Sequence, residues 1–218
     1  MIRAIPALGL VALIGAACGG SPIEEAESSL GRVAGTACLR PILATAVVVD
    51  DERMLTVAHA VAGADDDLHL LGLDGARYAV TVIGFDPDRD LALLDVAGLD
   101  APSILMATAG VGDSGFITSI SRDHEIKRIE YRVARVVTAR SGDIYDEGEV
   151  LRKALDLEAV TEPGDSGAPL IDVSGMMVGM LFARSTDADG SWALHVDEID
   201  AFLESVTGEE EVDRGRCR

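Results

Sequence analysis

The chain has 218 residues, with 38 acidic against 18 basic side chains and a formal net charge of −20. That length suits a leader and one domain. So acidic a balance excludes nucleic acid and anionic membrane surfaces as electrostatic partners, and its first consequence is solubility. In chain order, Arg3 precedes an apolar run from Ala4 to Ile14 and then Gly15-Ala16-Ala17-Cys18, the layout of a secretory signal peptide over 1–17. Cysteine directly after small residues resembles a bacterial lipobox, although Gly15 stands where leucine is usual. Two outcomes are therefore open, lipidation of Cys18 as the membrane anchor or simple cleavage and release. Residues 18–35 include a Ser- and Glu-rich stretch and read as a tether, which leaves 36–218 as the folded domain. From residue 44 come short β-branched runs at 44–49, 54–57, 68–73, 78–85, 91–96, 115–120 and 129–137. After a long loop follow 168–171, 176–182 and 192–196. Many short strands separated by Gly and Asp clusters predict an all-β sandwich or barrel. Ile199, Phe202, Leu203 and Val206 fall at helical spacing, so 196–206 is expected to be a terminal helix.

The chemistry concentrates in Gly164-Asp165-Ser166-Gly167-Ala168-Pro169, where glycines around one serine allow backbone amides to converge beside it. A serine hydroxyl becomes a useful nucleophile when a base takes its proton and an oxyanion site receives the developing charge. Thr56-Val57-Ala58-His59-Ala60 offers the base. Asp86, Asp88 and Asp90, ahead of Leu91-Ala92-Leu93-Leu94, offer a carboxylate to orient it. The same aspartates do not make a calcium loop, because Leu91 and Ala97 occupy the positions that need glycine and glutamate. His69, His124 and His195 have no partner at zinc-ligand spacing, and no cofactor is expected.

These motifs resemble the chymotrypsin-fold (trypsin-like) serine proteases, in which the triad runs His, Asp, Ser along the chain. "T-x-A-H" and "D-L-A-L-L" resemble the HtrA-like branch and, within it, the protease domain of the actinobacterial MarP-type proteases. Ser141-Gly142-Asp143-Ile144-Tyr145, Phe182-Ala183-Arg184-Ser185 and Gly215-Arg216-Cys217 are weaker likenesses to the same domain. The resemblance implies two six-stranded antiparallel β-barrels with a C-terminal helix. It implies His59 as general base, Asp90 rather than Asp86 or Asp88 as its orienting carboxylate, Ser166 as nucleophile, and the N–H groups of Gly164 and Ser166 as the oxyanion hole. It puts Val160, six residues before the nucleophile, at the base of the substrate pocket, with Ala183 and Trp192 in its walls. With no carboxylate there, the side chain preferred before the cleaved bond is small to medium and apolar.

The resemblance also implies a disulfide between Cys38 and Cys217. Because both are remote from the triad motifs in sequence, reduction is expected to affect stability before chemistry. The expected function is an exported serine endopeptidase acting on protein or peptide substrates. The alternative is a catalytically silent chymotrypsin-fold binding or stress-sensing lipoprotein. MarP-type proteins usually carry transmembrane helices ahead of the protease and HtrA proteases a PDZ domain after it; neither is expected within these residues.

Overall fold

The computed structural model describes residues 20–185 and 189–218. In chain order the elements are α1 (Pro22–Glu27), β1 (Leu30–Ala37), β2 (Arg40–Asp50), β3 (Arg53–Thr56), α2 (Ala58–Val61), β4 (His69–Gly72), β5 (Arg77–Ala79), β6 (Thr81–Asp86) and β7 (Leu91–Asp95), then β8 (Ser114–Ile120), β9 (Ile126–Ser141), β10 (Val150–Glu158), β11 (Pro169–Asp172), β12 (Met177–Arg184), β13 (Ser191–His195) and α3 (Val196–Ser205). They form two antiparallel sheets followed by a terminal helix.

The second sheet is a closed six-stranded barrel in the order β10-β13-β12-β11-β8-β9. The first differs from the expected six strands: it has seven, in the order β5-β4-β1-β2-β3-β7-β6. Its two edge strands are separated in the chain by Val80 alone. One strand bent at Val80 therefore pairs with β4 before the bend and β7 after it. Counted as a single strand, it restores six and brings the sheet's edges together.

Alternation along the strands decides what each barrel buries. On β2, Ala44, Ala46 and Val48 fill the first barrel, while Val47 on the opposite face belongs to the cluster between the barrels. On β7, Ala92 and Leu94 point inward and Leu91 and Leu93 face the interface, so both faces are buried and the run is continuously apolar. Phe202 and Ile199 of α3 close the interface cluster, and the His195 side chain caps that helix by accepting the Asp197 N–H.

Two stretches depart from expectation. Much of the proposed tether is folded: Ser21 and Glu24 form a capping box for α1, Ala26 and Glu27 are buried, and Leu30–Ala37 is the first strand. Glu27 meets the Arg128 guanidinium on β9, which docks α1 onto the second barrel. Within the long loop lies β10, whose Arg152, Ala154, Leu155 and Leu157 are buried. No helix among the described residues is long and apolar enough to cross a membrane.

Cys38, on the β1–β2 turn, is bonded to Cys217 with Cα atoms 5.6 Å apart. Gly63 makes the room, since a Cβ there would lie 2.8 Å from the Cys38 sulfur. The bridge spans a sequence separation of 179 residues. In the chain-entropy model, closing a loop of that size stabilises by about 5 kcal/mol, and measured bridges commonly give about 2–4. Cys217→Ser is therefore expected to lower the thermal midpoint by roughly 5–15 °C, as read by scanning calorimetry. An unchanged midpoint would remove the bridge from the stability account.

Candidate active site

Three side chains from separate motifs meet where the barrels touch. β3 ends at Thr56, and the single turn of α2 presents His59 from the first barrel. Asp90 sits just before β7, buried, with a left-handed backbone (φ 60°) that a non-glycine residue adopts only when its surroundings hold it there. One Asp90 carboxylate oxygen accepts the His59 backbone N–H at 2.8 Å; the other accepts Nδ1–H at 2.7 Å. With both held, the ring has one orientation and Nε2 faces Ser166 Oγ at 3.1 Å. The competing aspartates are committed elsewhere: Asp86 binds the Arg89 backbone N–H and guanidinium, and Asp88 is exposed.

Ser166 lies on the turn between Pro163 and β11. Its carbonyl accepts the Thr45 N–H of the first barrel at 3.0 Å, and the Gly167 N–H donates to Leu181 of the second at 2.9 Å. Gly167 has φ 79°, and a Cβ there would lie 2.2 Å from the Thr45 carbonyl oxygen. Glycine is obligatory on both counts. Gly164 has φ 107°, and neither its N–H nor that of Ser166 donates to another described residue. Ala168 is fully buried, and its N–H donates to the Asp165 carbonyl at 3.1 Å, which closes the turn. Between the two free amides, Asp165 is buried and bonded to neighbours that the sequence motif did not reveal.

A cavity of about 540 Å³ opens beside His59 and Ser166, bounded by Leu39, Arg40, Leu43 and both bridged cysteines. The disulfide, remote from the triad motifs in sequence, thus forms part of the wall beside them. β1 and β2 fold back as a hairpin and carry Cys38 to the cleft.

The three residues expected around the substrate pocket do not share one environment. Ala183 and Trp192 are register partners across β12 and β13, at a break in their ladder. Val160 does not form a floor, because it is 58% exposed. The next residue turns inward instead: Thr161 Oγ1 meets Ser191 Oγ at 2.8 Å, and Ser191 Oγ donates to the Ala159 carbonyl at 2.9 Å. Cys18 lies outside the described residues.

Comparison with known proteins adds the family. Residues 44–180 match the model of the trypsin-like peptidase domain. The serine protease Rv3671c of Mycobacterium tuberculosis is 28% identical over 201 residues, covering 89% of this chain and 50% of the relative. A probable periplasmic serine endoprotease, DegP-like, of Ectopseudomonas mendocina is 27% identical over 180 residues, covering 78% of this chain and 36% of the relative. The chain thus spans about half the length, or less, of these curated relatives. The crystal structure of the Rv3671c protease in its active form superposes with a TM-score of 0.85 at 26% identity, covering 90% of this chain and 88% of that one. Its inactive form gives 0.74 at 25% identity, covering 86% and 93%.

The contact at Gly167 yields a measurable expectation. Gly167→Ala adds a left-handed backbone penalty and a clash with a backbone oxygen, which together should cost at least about 3 kcal/mol in urea unfolding. Gly148→Ala, at φ 67° with nothing within 4 Å, isolates the first effect. It should cost about 1 kcal/mol. Equal losses in the two variants would refute the close packing at Gly167.

Proposed function

The chain belongs to the trypsin-like peptidase family, and from that premise we propose that it is an exported serine endopeptidase working through an acyl-enzyme. The observation that carries the reading is the continuous line Asp90–His59–Ser166, at 2.7 and 3.1 Å, beside two amides with no other described partner. Ser166 Oγ attacks the scissile carbonyl while His59 Nε2 accepts its proton. The Gly164 and Ser166 N–H groups receive the negative charge that develops on the carbonyl oxygen. As the C–N bond breaks, His59 returns the proton to the departing amine and Ser166 retains the acyl group. Water, deprotonated by the same imidazole, then releases it. Asp90 holds the tautomer with Nδ1 protonated and balances the imidazolium that forms. The inward residue following Val160 is the neutral Thr161, paired with Ser191, and not a carboxylate, so a small to medium apolar side chain is the proposed preference before the cleaved bond.

A fluorophosphonate probe applied to the purified chain tests this reading. Labelling is expected on the unaltered protein and absent in Ser166→Ala, and Asp90→Asn should lower peptide turnover by about 10⁴-fold. An unaltered chain that never labels would favour the silent binding module instead.

Export and anchoring rest on the leader, and the periplasmic description of the DegP-like relative agrees with an extracytoplasmic site of action. If Cys18 carries the lipid, the protein made in bacteria partitions into detergent with membranes, and Cys18→Ser releases it or blocks its processing. Recovery of the unaltered mature protein wholly in the aqueous phase would remove the anchor.

A further inference from the structure

The cavity beside the triad is charged against the rest of the chain. Arg40 and Arg218 line it, and no aspartate or glutamate does. Yet the chain holds 38 acidic side chains against 18 basic ones. Exposed arginines elsewhere face carboxylates, as Arg135 does Asp156, Arg140 does Glu149 and Arg216 does Glu147; Arg40 and Arg218 face none among the described residues. The disulfide sets both on one rim, because Arg40 stands two residues after Cys38 and Arg218 directly follows Cys217. Two like charges on one rim repel, and an anion bound between them removes that cost.

We infer that Arg40 and Arg218 form an anion-binding subsite that selects substrates with an aspartate or glutamate at the second or third position after the cleaved bond. The inference rests on the peptidase reading and names its substrate class. The departing amine takes its proton from His59, so the segment after the bond leaves along the imidazole's side. The cavity lies on that side, with His59, Ala60 and Ala62 in its lining. Ala183 and Trp192, expected to wall the pocket for the side chain before the bond, are not part of it. Leu43 marks where the cavity meets the oxyanion loop: its side chain lies 2.9 Å from where a Cβ on Gly164 would stand. Arg40 is three residues from Leu43 along β2, about 10 Å at ~3.3 Å per residue. An extended substrate covers that distance in about three residues. A carboxylate there meets planar donor forks, which match its geometry as a lone ammonium does not. The chain's net negative charge does not cancel this attraction, because at physiological ionic strength exposed charges more than about 8 Å away are largely screened.

A digest of a peptide library by the purified chain, read by mass spectrometry, identifies a cleaved sequence. That sequence is then synthesised with Glu, Gln or Lys at the second or third position after the bond. Each comparison is a ratio within one enzyme, so changes in overall activity cancel. The unaltered chain is expected to show kcat/KM about tenfold higher for Glu than for Gln, with Lys lower still. The Glu-to-Gln ratio should fall to about threefold in Arg40→Gln or Arg218→Gln and to about one in the double variant. Arg40→Glu should favour Lys over Glu. Both side chains are exposed, so these substitutions leave the core untouched. In about 1 M salt, where the screening length drops to about 3 Å, the preference of the unaltered chain should shrink. Equal kcat/KM for the Glu and Gln peptides at both positions, or a preference that persists in the double variant, overturns the inference, while the cleavage itself upholds the peptidase reading. An unaltered chain that neither labels with a fluorophosphonate nor cleaves any peptide overturns both.

Discussion

Thr45 is fully buried on β2, and each of its polar atoms is engaged where the two barrels meet. Its N–H holds the Ser166 carbonyl, its own carbonyl accepts Thr56 Oγ1, and its hydroxyl accepts the Ile120 N–H from β8 of the second barrel. The first barrel thereby holds the Ser166 backbone, while Thr56 leads directly into the turn carrying His59. Unpaired polar groups at this depth would be costly, so the bonds constrain how the barrels can approach one another. Gly167 sets the other limit, since its contact with the same Thr45 carbonyl leaves no space for a side chain. The short distance between His59 and Ser166 follows from this junction, not from either barrel alone.

A chain with 18 basic and 38 acidic side chains has few cations to place, and several stand around the site. Arg152 is buried on β10 and donates to the carbonyls of Asp88 and Gly142, while its guanidinium lies over the Phe182 ring at 5.6 Å. It thereby supports the backbone two residues before Asp90, where the left-handed conformation has to be maintained. Arg89 ties the same segment to Glu198 on α3. Lys127 pairs with the buried Asp165 carboxylate, next in sequence to Ser166, at 3.0 Å. The chain is strongly acidic, yet the segments that carry Asp90 and Ser166 are held by positive charge.

What the sequence disclosed follows from how locally each feature is written. The Ser166 turn and the His59 and Asp90 motifs depend on neighbouring residues, so short stretches of chain announce them. Selecting Asp90 over Asp86 needed the family's pattern. The structure supplies the physical reason, because Arg89 occupies Asp86 and Asp88 is exposed. β10 was hidden because Arg152, Lys153 and Asp156 interrupt its apolar positions, although Arg152 is itself buried. The tether was misread from its Ser and Glu content, when Ser21-Pro22-Ile23-Glu24 already spelled a capping box with proline at the first helical position. Lys127 could have been noticed from alternation with Ile129, Tyr131 and Val133; its partner, 38 residues away in sequence, could not.

The hairpin beside the cleft joins stability to the site. Cys38 and Leu39 both have left-handed backbones, at φ 53° and 65°, in a two-residue turn where Asn and Gly would be the usual occupants. Non-glycine residues pay about 1 kcal/mol or more each for that conformation. Cys38 gains a covalent bond in exchange, but Leu39 gains no burial, being 96% exposed on the rim of the cavity that reaches Ser166. The β1–β2 ladder on one side and the Cys217 bridge on the other hold the turn in place, so its strain is sustained by contacts outside it. The bridge that closes the domain therefore also holds one wall of the cleft, and loss of the covalent tie would release that wall while leaving His59, Asp90 and Ser166 chemically intact.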